Sequence, residues 1–330
     1  MNIAFAGLRH SHIYVLYEMA KNNPHYTIVG AFESNKNAKA QAEQNGIAVS
    51  YESLEALLCD PKVEAVALGG CFGDRGKMAI EALKAGKHVI ADKPLCTSLS
   101  ELDEIERLAK QKRLFVSCML TMRFESKIRA VKELQSSGTL GEINNIYFGG
   151  QHPLQYGRRP EWYYEPGKHG GTINDIAIHA VDAIRFMLGL EIESVSAARC
   201  WNRFADCEPN FKDSAQLMAV ADNGAGILGD VSYSIPDGVE FSLPYYWQFY
   251  LWGTKGVIRF SLNEKESHYF VAGDPEPKVL DESEIKTDYL TDFYNLVCGK
   301  KDIVITPEEV FSSTRKALEI QKSSNLKGDL

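Results

Sequence analysis

The sequence lacks an excess of positive charge, a paired-cysteine motif and a long apolar run. Its 36 Lys and Arg residues face 44 Asp and Glu residues, for a net charge of -8, so we expect neither nucleic acid nor a membrane as a partner. The seven cysteines contain no CxxC pair, which predicts reduced thiols in a cytoplasmic protein. The apolar stretch at 241–253 contains Pro244 and Gln248 and is too short to cross a bilayer. We expect no export signal ahead of the first strand, and a small molecule as the ligand.

The loop after the first predicted strand also has fewer glycines than a nucleotide-binding turn normally uses. The segment AGLRHSHI (6–13) follows an apolar run typical of a buried strand. A Rossmann turn uses one glycine to turn, one to let the backbone approach a pyrophosphate and one to pack helix on strand. Gly7 fits the first role, whereas Arg9 and His12 hold the other two positions. These residues leave three interpretations of the loop open. It is an altered dinucleotide loop, a metal site built on His10 and His12, or neither. We predict no metal, because later histidines do not recur at successive strand ends.

Apolar runs alternate with helical patterns up to about residue 120, which favours parallel strands joined by crossover helices. The predicted strands are 2–6, 26–32, 64–68, 87–91 and 114–118, with helices at 12–22, 36–45, 52–59, 75–85 and 98–111. After a helix at 125–137, strands are predicted at 143–150, 193–202, 214–221, 225–234, 246–253, 256–261 and 267–271, with helical segments at 172–188, 283–297 and 307–322. We therefore predict an α/β protein in which a doubly wound parallel sheet is followed by a mostly antiparallel sheet.

Two charged residues follow predicted strands, at the edge where open α/β sheets bind ligands. Glu33 ends the second apolar run and is placed to accept hydrogen bonds from an adenosine ribose, and its charge would repel a 2′-phosphate, which favours NAD over NADP. Lys93 follows the fourth strand, and Pro94 restricts its backbone to extended conformations. We therefore expect the Lys93 ammonium to be aimed into a site.

The segment HGGTINDIAIHAVDAIRFMLGL (169–190) combines a buried helical stripe with three polar residues. Asp175 and His179 are four residues apart, and Asp182 continues the same face. An aspartate one turn before a histidine can orient the imidazole, which suits a general base near neutral pH. A purely structural pair on a solvated helix face has the same spacing.

Together these segments resemble the glucose-fructose oxidoreductase and inositol dehydrogenase family (Gfo/Idh/MocA). AGKHVIADKPL (85–95) resembles the family's AGKHVxxEKP segment, with Asp92 for the usual Glu, and GGTINDIAIHAVD (170–182) resembles its GGxxxDxxxHxxD helix. MRFESKIRAVKELQSSGTLGEI (122–143) is similar to the segment that joins the two domains, and WGTKGVIRF (252–260) to a late strand pair. The strand ending GGCFGDRG (69–76) departs from the pattern, with Cys71 and Arg75 where the family often has proline and histidine.

The resemblance implies an N-terminal Rossmann domain, here 1–120, and a C-terminal α+β domain, here 121–330. The second domain would bind substrate and form a homodimer or homotetramer through its open sheet. In the implied reaction Lys93 hydrogen-bonds the reacting hydroxyl, His179 takes its proton, and Asp175 helps to hold substrate or base. The cofactor contacts expected by position are Gly7, Arg9, His10, His12, Glu33, Gly70, Phe72, Arg75, Asp92 and Lys93. The expected substrate contacts are Lys93, Arg123, His152, Tyr156, Arg158, Asp175 and His179, with Arg159 beside Arg158.

The leading hypothesis is an NAD-preferring oxidoreductase that transfers hydride between nicotinamide and a secondary alcohol or ketone carbon of a sugar, inositol or related polyol. In the atypical loop, Arg9 would supply charge to the pyrophosphate where backbone approach is hindered. The first alternative is a non-catalytic ligand- or nucleotide-binding protein that keeps the oxidoreductase fold. The second alternative is a metal-dependent hydrolase built on the HxH pair.

Overall fold

A computed structural model describes residues 1–325, and the chain divides into two compact units. Unit 1 combines Met1–Leu120 with Glu165–Gly170 and Thr287–Arg315, and unit 2 combines Thr121–Tyr164 with Gly171–Lys286 and the chain from Lys316 onward. The domain boundary after residue 120 stays a prediction. Two later segments that the prediction assigned to the second domain pack with unit 1.

Unit 1 contains a five-stranded parallel sheet with the strand order β2-β1-β3-β4-β5. The strands are β1 (Asn2–Leu8), β2 (Thr27–Phe32), β3 (Ala65–Gly69), β4 (His88–Ala91) and β5 (Val116–Cys118). All five residues of β3 and six of the seven in β1 are buried, as expected for central strands covered on both faces. Continuous apolar runs rather than alternating ones therefore mark these strands.

The crossover helices of unit 1 begin at side-chain caps where the sequence offers them. The helices are α1 (His12–Asn22), α2 (Lys36–Gln44), α3 (Leu54–Cys59), α4 (Phe72–Lys84) and α5 (Leu99–Lys112). The Ser98 hydroxyl accepts from the Glu101 amide at the start of α5, and Asn35 accepts from the Ala38 amide at the start of α2. Ser98 is thus the N-cap of α5.

Unit 2 contains an eight-stranded sheet with the order β13-β12-β11-β10-β6-β9-β8-β7. It is antiparallel except for the parallel pairing of β6 with β9. The strands are β6 (Ile143–Pro153), β7 (Ile192–Trp201), β8 (Ser214–Ala221), β9 (Gly226–Ile235), β10 (Gln248–Gly253), β11 (Gly256–Ser261), β12 (His268–Val271) and β13 (Asp274–Val279). The sequence did not predict β13, because two prolines and mostly exposed positions hide the apolar alternation of a strand.

The helices that follow the first sheet are α6 (Ser126–Ser136), α7 (Ile178–Leu188), α8 (Tyr289–Val297) and α9 (Pro307–Asn325). A π-helical turn, Ile173–Ala177, directly precedes α7. Within residues 1–325, no helix combines the length and apolar composition needed to cross a bilayer. The predicted α/β architecture, a Rossmann-like parallel sheet plus a large and mostly antiparallel sheet, is confirmed.

Candidate active site

One group of candidate site residues lies at the carboxyl edge of the unit 1 sheet. Strand β1 lies between β2 and β3, so the chain changes direction across the sheet beside β1. Open α/β sheets bind ligands at such a switch point. Gly7 has φ +74°, and a Cβ placed there would lie 2.6 Å from the Gly70 backbone. A glycine is therefore required where the turns after β1 and β3 meet.

Several backbone amides of the loop after β1 donate hydrogen bonds to acceptors within the protein. The Arg9 and His10 amides both donate to the Gly69 carbonyl at 3.1 Å, and the Leu8 amide donates to Glu33 Oε2 at 2.6 Å. Across residues 1–325, no acceptor lies within bonding distance of the Ser11 and His12 amides at the start of α1. These two donors are the ones that an anion at the helix start could use.

The Glu33 carboxylate at the end of β2 is already paired inside the protein. Its Oε1 accepts from Arg9 Nε at 2.9 Å and from the Asn35 amide at 2.7 Å, in addition to the Leu8 contact on Oε2. The Glu33 side chain is 2% exposed and that of Arg9 is 23% exposed. Arg9 thus compensates the Glu33 charge, and the NAD preference expected from Glu33 stays a prediction.

Three basic side chains converge on one carboxylate, that of Asp92, which stands where the family usually has Glu. His10 Nδ1 lies 2.7 Å from Oδ2, His12 Nδ1 lies 3.0 Å from Oδ1, and Arg75 Nη2 lies 2.7 Å from Oδ2. Burial by itself would raise the pKa of Asp92, but Arg75 and the histidines hold it well below its usual range. An ionised carboxylate only accepts, so His12 donates its Nδ1 proton to Oδ1.

Burial is the largest influence on His10 and lowers its pKa to about 4, so that this imidazole is neutral at pH 7. The ligand atoms of His10, His12 and Asp92 lie within 4.8 Å of one another, which also fits a metal ion. The distances from the two Nδ1 atoms to Asp92 are those of hydrogen bonds, and Arg75 shares the carboxylate. These contacts favour a hydrogen-bonded cluster, and the absence of a metal stays a prediction.

Lys93 follows β4 and is 4% exposed. Its peptide bond to Pro94 is cis, and its ammonium lies 5.8 Å from the centre of the Phe72 ring. The Arg75 guanidinium binds the backbone of this segment. It donates to the Lys93 carbonyl at 2.5 Å and to the Pro94 carbonyl at 3.3 Å. The remaining Arg75 contact runs from Nε to the Gly70 carbonyl at 2.9 Å.

Three of the residues expected to contact the cofactor are buried, and their cofactor contacts stay predictions. The side chains of Phe72, Arg75 and Asp92 are fully buried, and the Arg75 guanidinium is spent on Gly70, Asp92 and the Lys93–Pro94 segment. The Arg75 contacts connect Gly70, Asp92 and the Lys93–Pro94 segment.

A second group of candidate site residues belongs to unit 2 and surrounds Asp175. This residue lies in the π-helical turn, and His179 is in the first turn of α7. The Tyr233 hydroxyl donates a hydrogen bond to Asp175 Oδ2. Burial and then the Asp175 charge raise the pKa of Tyr233 well above its usual range, so that Tyr233 is a neutral donor. A π-helical turn is wider than an α-helical one and is often found at functional sites.

Aromatic rings enclose this part of unit 2. The Arg159 guanidinium lies 4.8 Å from the Tyr163 ring centre and 5.0 Å from that of Tyr233. It also donates to the carbonyls of Leu154 and Pro153. The His179 ring lies 6.0 Å from Trp247, whose ring lies 5.8 Å from His152. His152 and Arg159 are thus brought into the surroundings of Asp175 and His179.

The other expected substrate contacts lie elsewhere in unit 2. Arg123 is fully buried and donates two 2.8 Å bonds to Asp182, and its predicted contact with substrate stays a prediction. Tyr156 is exposed and donates to Glu208, and the exposed Arg158 faces Asp237 at 3.7 Å. Both are surface side chains with surface partners.

Sequence reasoning missed Tyr233 and Trp247. Their partners lie 58 and 68 residues away along the chain, so no spacing rule connects them. The available signal was chemical, because a tyrosine on a buried strand face needs a hydrogen-bond acceptor for its hydroxyl.

Comparison with known proteins adds a family to this geometry. Residues 1–119 match the oxidoreductase family with an NAD-binding Rossmann fold, and residues 128–259 match the Gfo/Idh/MocA C-terminal domain. The chain belongs to the Gfo/Idh/MocA oxidoreductase family. The resemblance that the sequence motifs indicated is thereby confirmed.

Individual relatives of this Gfo/Idh/MocA protein match over part of their length. An uncharacterized oxidoreductase of Synechocystis is 34% identical over 157 residues, which are 46% of this chain and 42% of that protein. Myo-inositol 2-dehydrogenase of Thermotoga maritima is 28% identical over 155 residues, 47% of this chain and 45% of that protein. The chain thus spans less than half the length of these two relatives.

One solved structure, of an oxidoreductase from Thermotoga maritima, shares the fold along almost the whole chain. It is 23% identical, with a TM-score of 0.85, and covers 99% of this chain and 98% of its own. At this level of identity the similarity supports the architecture and not the substrate.

Proposed function

We propose that this protein is an NAD(P)-dependent oxidoreductase that transfers hydride between nicotinamide and a secondary alcohol or ketone carbon of a sugar, inositol or related polyol. The observation that carries the proposal is the buried Lys93, held through its own backbone by Arg75 at the carboxyl edge of a Rossmann sheet. A chain of this family that had become only a binding module would have no need to fix a lysine in this way.

The residues at this edge fit a dinucleotide. Gly7 makes the turn after β1, and the amides of Ser11 and His12 begin α1 facing no protein acceptor among residues 1–325. These amides would hold the pyrophosphate, and the Arg9–Glu33 pair at the end of β2 would meet the adenosine ribose. When bound, the nicotinamide would accept hydride from the alcohol carbon or return it to the ketone.

Lys93 would hydrogen-bond the reacting oxygen. An ammonium fixed beside that oxygen stabilises the negative charge that develops there as the proton leaves. The Arg75 contacts to the Lys93 and Pro94 carbonyls keep this group oriented before substrate arrives.

His179 would take the hydroxyl proton, and Asp175 would hold substrate or base. Tyr233 donates to one oxygen of Asp175, which fixes the carboxylate while its other oxygen can accept from a ligand hydroxyl or an imidazole.

We also propose a homodimer or homotetramer formed through the open sheet of unit 2. Side chains that are paired across neighbouring strands form an exposed apolar face, which consists of Tyr147, Met218, Leu228, Tyr250, Trp252, Val257 and Phe270. Four of these, Met218, Leu228, Trp252 and Phe270, are 42–53% exposed. A contiguous apolar patch of this kind marks an interaction surface.

The deciding experiment is fluorescence titration of the purified protein with NADH and NADPH, followed by a panel of sugars, inositols and polyols with the oxidised cofactors. We expect saturable cofactor binding and turnover on at least one member of the panel. Binding without turnover across the panel would favour the non-catalytic alternative, which the internally bonded Arg9 and His10 amides support. Failure to bind either cofactor would contradict the proposal.

A further inference from the structure

We propose that the ribose edge of unit 1 accepts NADP(H) at least as well as NAD(H), and that Arg9 is the residue that recognises the 2′-phosphate. This inference rests on the proposed function and reverses the NAD preference expected from Glu33. It follows from the contacts between Arg9 and the acidic residue at the end of β2.

An acidic residue at the end of β2 selects NAD when its carboxylate is available to the ribose hydroxyls and its charge is uncompensated. Neither condition holds for Glu33. Its two oxygens accept from the Leu8 amide, Arg9 Nε and the Asn35 amide at 2.6–2.9 Å. One lone-pair position remains on Oε2, and the pair of side chains carries no net charge.

Arg9 keeps most of its donors after binding Glu33. A guanidinium has five N–H groups, and among residues 1–325 Arg9 uses only Nε, toward Glu33. Its side chain is 23% exposed, against 2% for Glu33. The terminal nitrogens, Nη1 and Nη2, can therefore bind two oxygens of a phosphate at once while Nε remains on Glu33.

The residues after Glu33 add to this preference. Ser34 and Lys36 are exposed, and their side chains have no hydrogen-bond or ion-pair partner among residues 1–325. The next acid near Arg9 is Asp74, which is paired with the Lys168 ammonium at 2.8 Å. Lys36 adds a positive charge three residues after Glu33, so the segment that follows β2 has no excess of negative charge to oppose a 2′-phosphate.

The test is the ratio of two dissociation constants measured on the same preparation, Kd for NADH divided by Kd for NADPH. In the unmodified protein we expect a ratio of 1 or more. In Arg9→Ala we expect the ratio to fall roughly tenfold, as for the loss of one charge-assisted hydrogen bond, because the exposed Glu33 charge then repels the phosphate. A ratio is insensitive to a partly inactive preparation, so modest misfolding of the variant does not obscure the result.

Lys21→Ala is the matched control, since Lys21 is an exposed cation of the same unit that pairs with Glu18 on α1. Its ratio should equal that of the unmodified protein. Competition by 2′,5′-ADP and by 5′-ADP gives a second readout without the nicotinamide, and Arg9→Ala should weaken only the former strongly.

Several results would overturn the inference. A protein that binds NADH but binds NADPH tenfold more weakly would show that Glu33 still selects NAD, while the proposed function would stand. Equal losses of both cofactors in Arg9→Ala would place the guanidinium on the pyrophosphate instead. If neither cofactor binds, the proposed function itself fails, and with it this inference.

Discussion

Arg75 and Asp92 form a fully buried ion pair, with Arg75 Nη2 2.7 Å from Asp92 Oδ2. The same guanidinium donates to the Gly70, Lys93 and Pro94 carbonyls. One side chain therefore connects the turn after β3 to the segment that carries Lys93. His10 and His12 of the loop after β1 also contact the Asp92 carboxylate. A change at Arg75 therefore affects that loop as well.

Replacement of Arg75 by Met should destabilise the protein by about 3–5 kcal/mol, the usual cost of leaving a buried charge without its partner. Arg107→Met is the control, because Arg107 is 56% exposed and pairs with Glu104 at the surface, where ion pairs contribute little. Urea unfolding monitored by circular dichroism measures the free energy of unfolding of both variants. Similar small changes in the two variants would show that Arg75 does not hold the loop.

The stability of unit 1 should fall as the pH is lowered from 6.5 toward 4. Burial lowers the pKa of His10 to about 4 in the folded protein, so the unfolded chain binds more protons throughout this range and stability rises with pH there. The difference corresponds to roughly 3 kcal/mol, present above pH 6.5 and lost progressively below it. The charges of Asp92, His12 and Arg75, which face the His10 imidazole, contribute to its lowered pKa.

His10→Asn keeps a donor at the position of Nδ1 and removes the titrating ring, so its stability should depend less on pH in this window. Unfolding midpoints at several pH values test the prediction, with His25→Asn as an exposed control in the same unit. An unchanged pH dependence in His10→Asn would assign the acid sensitivity to another group.

Local rules predicted most of the architecture, because each rule acts within a few residues. The position of Lys93 followed from Pro94 and from the end of β4 at Ala91. The start of α5, predicted at residue 98 and observed at Leu99, followed from the helical pattern of that segment. Such features depend on backbone preferences that the sequence carries at the site itself.

Pairings between distant segments could not be predicted in the same way. Arg9 and Glu33 were each given a role toward the cofactor, but their mutual contact requires β1 and β2 to be adjacent. Asp175 was assigned by α-helical spacing to orient His179, whereas it lies in a π-helical turn and receives Tyr233 from β9. The missing information in both cases is the order of the strands and the local widening of a helix.

Lys93→Met and His179→Ala should each lower turnover by roughly 100-fold or more, as expected for groups that act in the transition state. Cofactor affinity should change much less in His179→Ala, because His179 lies outside the Rossmann unit. Steady-state kinetics on a substrate from the polyol panel provide the measurement. Near-normal turnover in both variants would remove the proposed roles.

Tyr233→Phe removes the hydroxyl that donates to Asp175 and leaves the ring in place. We expect kcat to fall roughly tenfold, the effect of losing one hydrogen bond to a charged group, and the pH profile of kcat to shift because the carboxylate loses a neutral donor. Tyr250→Phe, on the open sheet face, should leave both quantities unchanged. A lower stability with an unaltered pH profile would indicate that Tyr233 is only structural.

Trp252→Glu should convert the proposed oligomer to a smaller species. Trp252 of β10 is 53% exposed and pairs with Val257 of β11. Val257 in turn pairs with Phe270 of β12. A charge at position 252 would therefore be buried in any interface formed through this face. Val15→Glu is the matched control, because Val15 is 55% exposed but lies on α1 of unit 1. Light scattering coupled to size-exclusion chromatography measures the mass of each variant. If Trp252→Glu retains the mass of the unmodified protein while Val15→Glu reduces it, the interface belongs to the Rossmann unit instead.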